Sequence, residues 1–99
     1  MVKRKVAVLQ TVAMAVAEIA YFIESKGLPA TAKKFVDEAF IFFESLADTK
    51  VEYRFCTYKR WKALKYKCAV YKKKYVIAFI SHDTEIIICD FVSSKLLKE

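Results

Sequence analysis

Apolar residues recur at Val12, Val16, Ile19 and Ile23, with Ala13, Ala17 and Ala20 beside them. That one-sided spacing predicts an amphipathic helix, and Thr11 stands where its N-cap would be. Gly27 and Pro29 then end it. Glycine accepts the left-handed conformation that closes a helix, and the residue before a proline is pushed out of the helical region. Pro29 also suits the first turn of a second helix, whose inward stripe reads Ala32, Phe35, Val36, Ala39, Phe43 and Leu46. A joint this short between long helices makes an antiparallel helical hairpin. Ahead of it, Lys3 to Leu9 alternates well enough to predict a short first strand.

After about Lys50 the pattern changes from the helical period to the period of two. From Lys62 to Lys72, Leu64, Tyr66, Cys68 and Val70 share one face while Lys65 and Lys67 share the other, which predicts a half-buried strand displaying cations. Lys72-Lys73-Lys74 is its turn. Tyr75 to Ile80 is apolar on both faces, Ser81-His82-Asp83-Thr84 is a tight connection, and Glu85 to Val92 is a further strand rich in β-branched residues. The tail Ser93 to Glu99 is either a last helical turn or a flexible end. The predicted order is β-α-α-β-β-β over one domain, residues 1–99. This is an α+β fold with a helical hairpin packed on a mainly antiparallel sheet.

Charge changes this picture from a generic fold to one with a marked segment. Between Lys50 and Tyr75 lie ten of the eighteen Lys and Arg residues against a single acid, Glu52, so the net +7 of the chain is local. Seven aromatics (Tyr53, Phe55, Tyr58, Trp61, Tyr66, Tyr71, Tyr75) are interleaved with those cations. A clustered positive field with ring faces in it suits a polyanion with stackable bases. The competing reading is a solvated basic face around half-buried strand aromatics.

Other chemistries find little support. The single Gly leaves no glycine-rich phosphate loop, so nucleotide-dependent chemistry is not expected and no cofactor is implied. Cys56, Cys68 and Cys89 are odd in number and lack a Cys-x-x-Cys spacing, and His82 is the one histidine. Neither a disulfide framework nor a zinc site is expected; reduced thiols in a cytoplasmic protein are. The longest apolar tract, Val12 to Ile23, carries Glu18 and is short of the roughly 20 residues a membrane helix needs.

Over nearly its whole length the chain resembles the RelE/ParE toxin family of bacterial type II toxin-antitoxin modules, among them the plasmid-stabilisation proteins. The resemblance rests on the first strand, the hairpin with its Gly27-Leu28-Pro29 joint, and a meander. In that meander Trp61-Lys62-Ala63-Leu64-Lys65-Tyr66-Lys67 precedes Lys74-Tyr75-Val76-Ile77-Ala78-Phe79 and Glu85-Ile86-Ile87-Ile88-Cys89-Asp90-Phe91-Val92. It implies a toxin with a cognate antitoxin whose acidic, partly disordered segment covers the basic surface. One branch of the family cuts mRNA on the ribosome without a metal; the other poisons DNA gyrase. A third alternative is a catalytically silent RNA-binding module on the same scaffold.

In the nuclease branch, cations of the central strands act with an arginine, histidine or tyrosine after the last strand. Here Lys62, Lys65 and Lys67 correspond to the former, while Ser93-Ser94-Lys95-Leu96-Leu97 offers only Lys95 for the latter. Cleavage through the 2′-hydroxyl needs phosphate charge stabilised and protons moved. Lys65 and Lys67 are candidates for the first task, Lys95 or Tyr71 for the second. The target surface would comprise Lys59, Arg60, Trp61, Lys62, Lys65, Lys67, Lys72, Lys73 and Lys74. Trp61 stacks on a base or closes one end of the core, and Lys72–Lys74 either bind the target or form a solubilising turn. His82 reads as an exposed turn residue. Asp90, inside an apolar strand, pairs with a lysine or needs a partner within.

Overall fold

The computed structural model describes residues 4–48 and 53–96. Lys3, Lys50, Glu52 and the tail from residue 97 onward lie outside the described residues. The elements are β1 (Lys5–Val8), α1 (Gln10–Ser25), α2 (Pro29–Ser45), α3 (Lys59–Ala63), β2 (Lys67–Tyr71), β3 (Tyr75–Ser81), β4 (Glu85–Ser93) and a 3-10 turn, Ser94–Leu96. The fold is α+β, as the sequence predicts, with a third helix that the sequence does not announce.

The helical hairpin forms as expected. Val12, Val16, Ala32, Phe35, Ala39, Phe43 and Leu46 are buried, while Ile19, Ile23 and Val36 are half-buried at its margins. Gly27 sits at φ +82° just after α1, and Pro29 opens α2. Thr11 is not a cap: α1 begins at Gln10 after an extended Leu9, without a side-chain hydrogen bond to the first turn. The joint is short enough that α1 and α2 pack antiparallel over one sheet face.

The sheet runs β1-β4-β3-β2. β2–β3 and β3–β4 are antiparallel hairpins, but β1 lies parallel to β4, with Lys5 opposite Glu85 and Val8 opposite Ile88. The long α1–α2 excursion makes that parallel return possible. Within β3–β4 the register steps between Phe79↔Ile88 and Ala78↔Asp90, leaving Cys89 as an extra residue. This bulge reverses the alternation of β4. Ile86 and Ile88 face the helices before it, and Phe91 faces them after it.

Under the hairpin, Phe35 and Phe43 meet Phe91 edge-on at 6.4 and 5.9 Å, and Phe91 stacks on Tyr75 at 5.1 Å. The opposite sheet face is covered as well. There, Cys56, Trp61 and Ala78 are buried among half-buried Tyr58, Tyr66, Cys68, Val76 and Val92. The molecule therefore has a small third layer, built by the segment between α2 and β2, beyond the two layers expected. Arg4 ties the far end together: its guanidinium donates to the Leu46 and Ala47 carbonyls at the C-terminus of α2 and to Ser81 Oγ at the end of β3.

The strand predicted from Lys62 to Lys72 is corrected in both extent and register. Its first half is α3 and a turn, and β2 begins at Lys67. The residues beneath the helices are Ala69 and Tyr71, whereas Leu64 and Val70 are exposed and Cys68 lies on the opposite face. A shift of one residue turns every side chain of a strand over.

Candidate nucleic-acid interface

The basic segment folds as an arm laid along β2 and across the second sheet face. Phe55 bridges to Lys67 in antiparallel fashion, the Cys68 amide donates to the Arg54 carbonyl at 3.1 Å, and the Cys56 amide donates to the Tyr66 carbonyl at 2.8 Å. Between those links runs α3. Its five residues are too few to be stable alone, so tertiary anchoring has to hold it. Trp61, 4% exposed, supplies that anchor, with Tyr58 edge-on at 5.5 Å. Lys65 at φ +59° closes the helix, its amide donating to the Lys62 carbonyl and that of Tyr66 to the Trp61 carbonyl. This is the paired hydrogen-bond arrangement that glycine more often provides.

With Trp61 turned inward, Lys59, Arg60, Lys62 and Lys65 are displayed outward. Trp61 therefore closes a core and offers no face to a base. The exposed ring of this region is Phe55, 61% accessible, with Lys67 Nζ 5.5 Å from its centroid. Its position in the alternation Phe55, Cys56, Thr57 was the available signal, but without the pairing to Lys67 nothing in the sequence singles it out. Lys65 and Lys67 do not share a strand face, since Lys65 belongs to the closing turn of α3.

The remaining cations gather elsewhere. Lys72 and Lys73, at φ +53° and +59°, form the turn between β2 and β3, as the sequence predicts. The Lys74 carbonyl accepts from the Ser94 amide at 2.8 Å, which brings the segment bearing Lys95 to this same turn. Lys72 Nζ lies 3.0 Å from Glu38 of α2. This pairing holds the Glu38 carboxyl below its usual range and raises the Lys72 ammonium above its own. The basic residues thus form two groups at opposite ends of β2, separated by roughly 13 Å of strand rise. The segment bearing Lys95 lies at the other end of β2 from the α3 cations. Tyr71 lies under the hairpin, its hydroxyl meets no hydrogen-bond partner in good geometry among the described residues, and burial pushes its pKa up.

His82 lies in the exposed β3–β4 turn, its amide bonded to the Glu85 carbonyl at 2.8 Å. Asp90 is half-buried and accepts the Phe91 amide at 2.8 Å. The Cys89 thiol, half-buried beside Tyr66, is pushed up chiefly by burial, and burial likewise raises the Tyr66 hydroxyl. Cys56 and Cys68 form a disulfide with Cα atoms 5.0 Å apart, which corrects the expectation of three reduced thiols and removes that argument for the cytoplasm. Spacing gave no warning, because the arm folds back on β2 through backbone pairing. Among the described residues no three His, Cys, Asp or Glu side chains converge as a metal site, and no helix is long and apolar enough to cross a membrane. Comparison with known protein families, curated proteins and solved structures finds no match to this chain.

Proposed function

We propose that this protein is the toxin subunit of a type II toxin-antitoxin module of the RelE/ParE kind, stopping translation in the cytoplasm by cutting mRNA on the ribosome. The observation that carries the target reading is the cationic arm: Lys59, Arg60, Lys62 and Lys65 point outward from a helix anchored by Trp61, and the same arm carries the exposed Phe55 ring with Lys67 against it. The family reading draws support from the β-α-α-β-β-β order of the strands and long helices, with the hairpin on one sheet face. In this reading the arm grips RNA phosphates, Phe55 supports a base, and the ribosome holds the scissile bond in a reactive geometry. An antitoxin with an acidic segment neutralises the same cations.

A second reading, poisoning of DNA gyrase, is favoured by the placement of the Lys95 segment at the β2–β3 turn, away from α3, and by the length of α1 and α2, 16 and 17 residues. Pulse labelling of protein and DNA synthesis in the minutes after induction without a partner separates the two. Translation stops first if mRNA is the target. DNA breaks and filamentation come first if gyrase is. Undisturbed growth with folded protein present eliminates both and leaves the silent RNA-binding module.

A further inference from the structure

The arm from Arg54 to Tyr66 contains five cations and no acid, so its own charge works against compact packing. Its hold on the sheet is one small cluster, Cys56 and Trp61 against Ala78 with half-buried Tyr58, Tyr66, Cys68, Val76 and Val92 around them, and the Cys68 amide donates across to the Arg54 carbonyl. Across this junction runs the Cys56–Cys68 disulfide, the one covalent cross-link between arm and sheet, beyond the chain itself, among the described residues. From these three facts we infer that the disulfide is a reversible redox clasp which keeps the cationic arm ordered on the sheet and lets it lift when reduced.

Access favours exchange. Cys56 is 2% exposed, whereas Cys68 is half-buried, and both line an open groove of about 390 Å³ with Arg54, Phe55, Tyr58, Val70 and Val76. A thiol reductant of the glutathione class fits this setting, because Arg54 at the rim can pair with its carboxylates. Its thiolate attacks Cys68 Sγ; the sulfur–sulfur bond breaks and Cys56 leaves as a thiolate that takes up a proton. A second reductant thiolate then attacks the mixed disulfide, releasing Cys68 as a thiolate, which is protonated in turn, and carrying away the oxidised reductant. Two electrons and two protons are taken up by the protein, and an oxidised glutathione-class disulfide reverses the step.

This inference stands apart from the toxin reading, since it concerns the order of the arm whatever the arm binds. The test equilibrates the full chain in glutathione buffers of graded reduced-to-oxidised ratio, counts thiols by alkylation and mass, and follows amide hydrogen exchange. The expected result is a single two-thiol transition in which the amides of α3 and its closing turn lose at least tenfold in protection while α1, α2, β3 and β4 keep theirs. Cys89→Ser should titrate as the parent does, and Cys56→Ser with Cys68→Ser should behave as the reduced form at every ratio. Two results would each overturn the clasp: protection of α3 unchanged with both thiols free, or a bond that yields only when the whole domain unfolds.

Discussion

At the residue scale, single side chains hold joints that no element could hold alone. Arg4 caps the C-terminal carbonyls of α2 from the start of β1 and reaches Ser81 as well. Such charge-assisted bonds are stronger than neutral ones, and their loss strands carbonyls with fewer partners. Arg4→Ala is expected to cost about 1–2 kcal/mol in denaturant unfolding with an unchanged m-value. The Glu38–Lys72 pair gives a pH signature. The Glu38 carboxyl is held below its usual range, so its contribution is present above the ordinary carboxylate pKa and lost as pH falls through the lowered value. The Lys72 ammonium is raised, so its share is present below its ordinary pKa and lost as pH rises through the raised one. Both side chains are partly exposed, which makes the effect small. Melting curves of the parent and Glu38→Gln should differ near neutrality and converge in acid; a constant offset would show that the pair is not the cause. Tyr71→Phe removes a buried hydroxyl that has no hydrogen-bond partner in good geometry among the described residues and should leave the melting temperature unchanged or higher.

At the element scale, α3 decides how the basic segment is used. Trp61→Ala should cost about 3–5 kcal/mol if the anchor is worth what a core aromatic usually is, and exchange protection of α3 should vanish first. Replacing Lys59, Arg60, Lys62 and Lys65 by Gln should lower the slope of log affinity against log salt for poly(U) by about 0.7 for each phosphate released, with folding intact. An unchanged slope would remove α3 from the interface. The helical hairpin was legible because its apolar stripe has a single solution: Val12, Val16, Phe35, Ala39 and Phe43 fit one face and no other. β2 was not, because the sheet is covered on both sides. Ala69 and Tyr71 on one face and Tyr66 and Cys68 on the other are all apolar or nearly so, and alternation alone cannot say which face meets the helices. The turn at Lys65 was hidden for a related reason. A left-handed residue is expected to be glycine or asparagine, and here a lysine occupies it, just as Lys72 and Lys73 do in the next turn. The candidate site suffered accordingly: its cations were found, but their division between the two ends of β2 depends on the fold-back of the arm.

At the scale of the whole molecule, the disulfide closes a loop of twelve residues' separation between arm and sheet. On the chain-entropy account this is worth about 3 kcal/mol, a sizeable part of the stability of a domain this small. Thermal unfolding with and without a reductant should therefore show a shift of several degrees or more; superimposable curves with the thiols verified free would count against it. The parallel pairing of β1 with β4 has a different bearing, on synthesis. Lys5 must find Glu85, so everything up to β4 has to be made before the sheet can close, and a contact so distant in sequence slows the approach to the native state. Until Glu85–Ser93 leaves the ribosome, β1, the hairpin and β3 lack the strand that both neighbours need. A protein whose proposed victim is the translating ribosome thereby closes its sheet only after the ribosome making it has passed the last strand.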